Sequence, residues 1–180
     1  MTQDTAAEMP LWAGLLNPQG KALFDFFLWA DGDDVLIDCE RVQAEALVRR
    51  LSIYRLRRKI MITMDSACAV FWNADGSSDP RHPNMGERWL GASADGDVDV
   101  SAEYRAHRLA LGITEGLAEL GSEQTLWLEA IAAELKLVLS APALSKRRTS
   151  STVRTPPPTV SGMNTWLATA SMMCRITSRP

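Results

Sequence analysis

The side chains able to do chemistry in this sequence are few and scattered. Asp25 is the most pointed of them. It stands between Phe24 and Phe26 in the apolar run ALFDFFLWA, where a carboxylate is costly unless it is exposed or paired. Arg55, Arg57, Arg58 and Lys59 form a cationic cluster. Such a cluster suits contacts to phosphate or nucleic acid, and equally suits a solvated helix end, where positive charge complements the helix dipole. His82 and His107 are too few and too far apart for a metal site, so no metal is assigned. Cys39, Cys68 and Cys174 include no C-x-x-C pair, which argues against a disulfide framework or a zinc site and fits a reducing compartment. Cys39 and Cys68 lie in apolar runs, where cysteine is more often a small core residue than a nucleophile. No Ser/His/Asp order, Gly-rich phosphate loop or H-E-x-x-H helix is present. Residue types and spacing therefore describe an α/β domain without visible catalytic machinery.

The elements that position these residues follow from pattern. Leu11–Leu16 and Ala22–Ala30 read as strands joined by a tight turn at Asn17-Pro18-Gln19-Gly20. Proline presets φ at the second turn position and glycine accepts the positive φ that follows. Asp31-Gly32-Asp33-Asp34 is a second turn sequence, and Val35-Leu36-Ile37 continues the apolar pattern, so the segment from Ala22 to Cys39 reads as a further hairpin. A helix is predicted from about Glu40 to Leu56. Asp38 is placed to cap it, Val42, Ala46, Leu47, Leu51 and Tyr54 recur near helical spacing, and Arg41, Glu45, Arg49 and Arg50 take the other face. Two more strands are predicted over Lys59–Met64 and Ala67–Trp72, giving a β-β-β-α-β-β order with a mixed sheet. The segment from Asn73 to Val100 reads as a long polar loop. A helix opens at Ser101 and is stopped by Gly112, Thr125–Leu128 reads as a short extended piece, and Glu129–Leu139 reads as another helix.

Composition sets the outer bounds. The 180 residues, 46% hydrophobic and 23% charged, suit one ordinary domain or a little more. No apolar run approaches the roughly 20 residues that span a bilayer. The opening MTQDTAAEMP has neither signal-peptide nor transit-peptide character, from which a cytoplasmic location is expected, or the mitochondrial matrix if the source is eukaryotic. The net charge of −3 hides a division. Of the 19 basic residues, six lie in 141–180, which contains no Asp or Glu, so residues 1–140 hold 13 against all 22 acidic residues and carry −9 while the tail carries +6. Halves this different are not expected to share one core.

Four blocks in order over about residues 11–136 resemble the YgfZ-type folate-binding proteins, relatives of the glycine-cleavage T-protein (aminomethyltransferase, GcvT). The first runs from PQGKALFDFFLW through VLIDCE to AEALVRRLSIYRLRRKI. The second, DPRHPNMGERW, resembles that family's D-P-R-x-P-x-L-G-x-R segment with Met85 in the Leu position. The third, YRAHRLALGITEG, resembles its Y-R-x-x-R-L-x-x-G-x-x-E-G helix and exit, and the fourth, EQTLWLEAIAAEL, resembles the block that follows. The resemblance implies an α+β, GcvT/YgfZ-like domain over residues 1–140 that binds tetrahydrofolate. The implied role is that of an accessory factor in iron–sulfur cluster assembly or repair, acting indirectly on tRNA modification. The implied partners are cluster-assembly proteins or client enzymes, without membrane or direct nucleic-acid binding. It assigns Asp25 to the pterin region, with Gln19 and Gly20 in the turn before it, and places Arg108, Glu115 and Glu129 in blocks that line the same cavity.

The sequence departs from that family in three ways. Ala110 replaces the glutamate of the T-protein's R-L-E-x-G, which favours a binding factor over the alternative, a folate-dependent aminomethyl transferase. The K-G-C-Y-x-G-Q-E motif due after Leu135 is absent, and SAPALSKRRTSSTVRTPPPTV stands there instead. A strand and an F-L-Q-G-like helix due before the first hairpin are also missing. With the motif cysteine and the family's C-terminal barrel gone, an inactive truncated member is a further alternative. Residues 141–180, rich in Ser, Thr, Pro and Arg, are expected to be disordered or to be coding sequence read out of frame.

Overall fold

The computed structural model describes residues 10–92, 94, 96–131, 166–167 and 171–178. The chain opens with three antiparallel strands, β1 (Leu11–Leu16), β2 (Ala22–Asp31) and β3 (Asp34–Glu40). The first turn is built by Asn17, whose side-chain oxygen accepts the amides of Gln19 and Lys21 at 2.9 and 3.0 Å, while Gly20 takes φ +80°. A short 3₁₀ turn, Arg41–Gln43, leads into α1 (Ala44–Tyr54), followed by β4 (Ile60–Asp65) and β5 (Cys68–Asn73). Then come β6 (Glu87–Ala92), β7 (Val98–Asp99) and α2 (Ser101–Ala110). Two short helices, α3 (Leu117–Leu120) and α4 (Trp127–Ala130), precede β8 (Trp166–Leu167) and β9 (Ser171–Ser178).

These strands make two sheets. The larger has the order β1-β2-β3-β9-β4 and is antiparallel throughout; the smaller has the order β6-β5-β8-β7, with β7 and β8 parallel. Strand alternation sends successive side chains to opposite faces and divides the larger sheet into two environments. Phe26, Ile37, Cys39 and Cys174 point to one face and form a core with Ala44 and Leu47 of α1. Leu36 and Met173 point the other way and meet Val70 of the smaller sheet. A third cluster, Trp72, Met85, Val100, Tyr104 and Ile113, packs α2 against β5. No helix among the described residues is long and apolar enough to cross a membrane.

Four expectations are corrected by this architecture. Asp38 is no helix cap: it lies inside β3, 1% exposed, and α1 has no side-chain cap. The segment from Asn73 to Val100 is no structureless loop, because Glu87–Ala92 pairs along the whole of β5. The polar residues gather in the irregular stretch 74–86, and the less polar ERWLGA supplies the strand. Ser171–Ser178, inside the stretch expected to be disordered or out of frame, forms β9 between β3 and β4. Finally, the two compositional halves do share a core, since Met173 and Cys174 are 1% and 0% exposed. The physical reason is period: in MMCRI, Met172, Cys174 and Ile176 face α1 while Met173 turns to the second sheet, so a strand pattern survives within a basic composition. The rest of the tail, and residues 132–139 of the expected last helix, lie outside the described residues.

Candidate functional site

The same alternation that sends Phe26 to α1 sends Asp25 and Phe27 to the opposite face, with Asp38 directly across from Phe27. On that face lies a cavity of about 230 Å³, bordered by β2, β3, α2 and the loop entering α3. Its wall is a chain of charges. Arg88 donates through Nε and Nη2 to Asp38 Oδ2, the Nε contact at 3.1 Å, and through Nη1 to the Tyr104 hydroxyl at 3.0 Å. Arg81 donates to the same hydroxyl at 2.7 Å, to Glu115 Oε2 at 2.5 Å, and through Nε and Nη2 to Asp79 at 2.9 and 2.7 Å. Tyr104 in turn donates to Glu115 Oε2 at 2.5 Å. Both guanidinium groups lie over the Phe27 ring, at 4.6 Å for Arg81 and 4.4 Å for Arg88, so the aromatic face supplies part of their solvation. Arg108 donates to both Glu119 oxygens and to the carbonyl of Ile113.

Local sequence explains how these groups are held. In DPRHPNMG the Asp79 carboxylate accepts the Arg81 amide at 3.0 Å, and the Asp79 amide donates to the Gly86 carbonyl at 3.2 Å. The loop therefore closes on itself and delivers the Arg81 side chain inward. Fully buried Met85 and the 2.8 Å bond from Trp72 Nε1 to its carbonyl anchor the loop. Arg108 and Tyr104 are four residues apart, on one face of α2.

Four carboxylates (Asp38, Asp79, Glu115, Glu119) thus share three buried arginines, and a fifth, Asp25, lies beside them without an ion pair. Burial pushes the Glu115 carboxyl up, but Arg81, Arg88 and Arg108 outweigh it and hold the group down at about 2. Burial also pushes the Asp38 carboxyl up, against the pull of Arg88. Asp25 accepts only the Gly116 amide, without a hydrogen-bonded guanidinium among the described residues. Burial and the neighbouring Glu115 charge raise it to about 6, against the opposing pull of the Gly116 amide and Arg81. Asp25 is thus held protonated to well above the ordinary carboxylate range. Two polar atoms of residues that line the cavity, Asp38 Oδ1 and Arg108 Nε, are buried without a hydrogen-bond partner among the described residues, and Arg108 Nε stands 3.8 Å from Glu115 Oε2.

Of the residues assigned from sequence, Asp25, Arg108 and Glu115 come together at this cavity. Gln19 and Gly20 do not line it. They stay in the first turn, where the Gly20 carbonyl accepts the Trp127 amide at 3.0 Å. Glu129 is exposed on α4, also away from the cavity. Asp38, Arg81, Arg88, Tyr104 and Glu119 were not assigned. Asp38 carries the signal that singled out Asp25, a carboxylate inside an apolar run (VLIDCE), and Arg81, Arg88 and Tyr104 stand within the quoted blocks. Among the described residues no group of three or more His, Cys, Asp or Glu side chains is placed to hold a metal ion.

Comparison with known proteins gives three relatives at low identity. The chain is similar to the iron-sulfur cluster assembly factor IBA57 homolog, mitochondrial, of Pyricularia oryzae, with 30% identity over 142 residues, 64% of this chain and 36% of that protein. It is similar to the protein of the same name in Mycosarcoma maydis, 29% identical over 146 residues, 66% of this chain and 36% of that one. It is also similar to the iron-sulfur cluster assembly factor IBA57, mitochondrial, of Homo sapiens, 27% identical over 141 residues, 61% of this chain and 39% of that one. The chain thus spans little more than a third of the length of the curated relatives it matches. No family model matches, and no solved structure matches. All three relatives are named as mitochondrial, which overturns the expectation of a cytoplasmic location.

Proposed function

We propose that this chain is a folate-binding accessory factor of iron–sulfur cluster assembly or repair, acting in the mitochondrion by binding rather than by turnover. The observation that carries the reading is the convergence of Asp25, Arg108 and Glu115 on one cavity. The similarity to proteins named as cluster assembly factors supports the assembly role. Effects on tRNA modification would follow through client iron–sulfur enzymes, and the partners are cluster-assembly proteins or those clients.

The residues present fit part of tetrahydrofolate. Pockets that enclose a whole small molecule measure roughly 300–1,000 Å³, so a cavity of about 230 Å³ suits the pterin head group and leaves the remainder outside. Asp25, near 6, offers a carboxylate acceptor in one state and a hydroxyl donor in the other, which matches the mixed donor and acceptor edge of a pterin. Tetrahydrofolate, when bound, is a carrier of one-carbon units. A specific observation also favours the second reading, an aminomethyl transferase: a carboxyl poised near neutrality is suited to general acid–base work.

Calorimetric titration of tetrahydrofolate into the full chain, and into its Asp25→Ala and Glu115→Gln variants, tests both readings. Saturable binding weakened by about tenfold or more in the variants, a loss of ~1.4 kcal/mol, is expected. Binding that ignores both substitutions removes the cavity from the folate site. Absence of binding to the full chain leaves the inactive-fragment reading. With an aminomethyl donor added, transfer of its one-carbon unit to tetrahydrofolate, with the amino group leaving as ammonia, would favour the transferase.

A further inference from the structure

The strongest feature outside the cavity is the outer face of α1 and the turn that follows it. Arg49, Arg50, Arg55, Arg57, Arg58 and Lys59 are all exposed, and no acidic residue occurs between Ala46 and Met64. No ion pair among the described residues involves any of the six; Arg55 bonds the Ile60 carbonyl at 3.4 Å, and Arg50 lies over the Tyr54 ring. With these six set apart from the 13 basic residues of 1–140, the rest of that region has 7 against 22 acidic ones. The patch is therefore a concentrated positive spot on an acidic domain, and attracts an anionic partner in one orientation.

Charge is half of the pattern. Val42, Ile53, Tyr54 and Leu56 are 77%, 66%, 58% and 86% exposed, four large apolar side chains in and beside the same cluster. Leu56 holds φ +49°, a left-handed conformation uncommon for a leucine, where the chain leaves the helix. Residues 55–61 line an open groove of about 530 Å³. Ala46, Arg49, Arg50 and Ile53 recur at three- and four-residue spacing, so cations and apolar groups share one helix face instead of occupying opposite ones.

We infer that this face is a docking surface for an acidic, amphipathic segment of a partner protein, whose carboxylates meet the arginines and whose apolar side chains cover Val42, Ile53, Tyr54 and Leu56. Three alternatives fit less well. A single phosphate engages one or two cations, whereas these extend over a helix turn and a half and the turn beyond. A nucleic-acid backbone offers nothing to Val42, Ile53 and Leu56. A bilayer selects helices whose apolar and basic faces are separated; here it would have to bury Arg49 and Arg50 along with Ile53. A protein segment can alternate acid and apolar groups to match.

The test is fluorescence anisotropy on the full chain with a labelled synthetic helical peptide of Glu and Leu. The controls are the same peptide with Lys for Glu or Ser for Leu, phosphatidylserine vesicles and a labelled single-stranded oligonucleotide. Two variants are compared, Arg55→Glu/Arg57→Glu/Arg58→Glu and Ile53→Ser/Leu56→Ser, each checked by circular dichroism for unchanged folding. Expected is saturable binding of the Glu/Leu peptide alone, weakened by about tenfold in each variant and further by added salt. The inference is overturned if that peptide fails to bind, if its binding ignores either variant, or if the vesicles or the oligonucleotide bind more tightly.

Discussion

Both carboxylate oxygens of Asp25 accept the backbone N–H of Gly116, at 3.1 and 3.2 Å, across a separation of 91 residues. This contact ties the second strand to the loop that carries Glu115, and so closes one side of the cavity. It also leaves Asp25 as the carboxyl without an arginine of its own. The chemistry of the site and its cost in stability therefore meet in one residue.

The first prediction concerns pH. Asp25 moves from an ordinary 3.8 in the unfolded chain to about 6 in the folded one. Because the folded state holds the proton more tightly, stability falls as pH rises from about 4 to about 6 and stays lower above that. The difference amounts to about 3 kcal/mol. Asp25→Asn keeps an oxygen for the Gly116 amide and removes the titration. Urea unfolding at a series of pH values should show the variant gaining on the wild type across this window, by about 1–3 kcal/mol at neutrality. A gap that does not widen between pH 4 and 6 would place the Asp25 titration elsewhere.

Arg88 and Asp38, each fully enclosed, form an ion pair between the two layers. Arg88→Met leaves a buried carboxylate uncompensated and should cost about 3–5 kcal/mol, read as a lower thermal midpoint. Adding Asp38→Leu should restore much of that loss, since the penalty lies in the orphaned charge. If the double variant is no better than the single one, the pair is stabilised by something other than its charges.

Gly86 occupies φ +89°, and a Cβ built on it would stand 2.1 Å from the carbonyl oxygen of Asn73. Backbone cannot yield as a side chain tip can, so Gly86→Ala should destabilise the chain by at least about 2 kcal/mol. The DPRHPNMG loop carries Arg81, so ligand binding should weaken in parallel. Unaltered stability by denaturant titration would mean that the loop adopts another path.

The position of β9 makes the cysteines reporters. Cys174 is 0% and Cys39 4% exposed, whereas Cys68 is partly exposed. The Cys39 thiol is pushed up by its hydrogen bond with the free Cys174 thiol and by burial, which lowers its reactivity further. Under native conditions a thiol reagent should modify Cys68 first, and Cys174 only in denaturant. Equal labelling of Cys174 and Cys68 by mass spectrometry would remove β9 from the sheet. Arg175 gives an independent check: it bonds Asp31, Asp34 and Asp65 from three strands. Arg175→Gln should therefore speed hydrogen exchange in β9, at a stability cost of about 1 kcal/mol.

Much of the architecture is a matter of local pattern. Asn17, Gly20 and Gly32 fix the two hairpin turns, period-2 alternation marks the strands around them, and helical spacing marks α1 and α2, because turns and periodicity depend on residues a few positions apart. Asp25 is conspicuous for the same reason, a carboxylate among phenylalanines. What the tertiary structure alone decides is which distant groups meet. Asp38 and Arg88 are 50 residues apart, and Arg81 and Glu115 are 34 apart. Nothing in their immediate neighbours pairs them, and the same geometry reassigns Asp38 from a helix cap to the partner of an arginine. The tail is the sharpest case: its composition speaks for disorder, yet Met173 and Cys174 lie in the core because strands β3 and β4 bond the same eight-residue segment from both sides. Sequence sets each strand's faces; only long-range pairing decides which strand fills the gap between two others, and so which charges end up sharing one cavity.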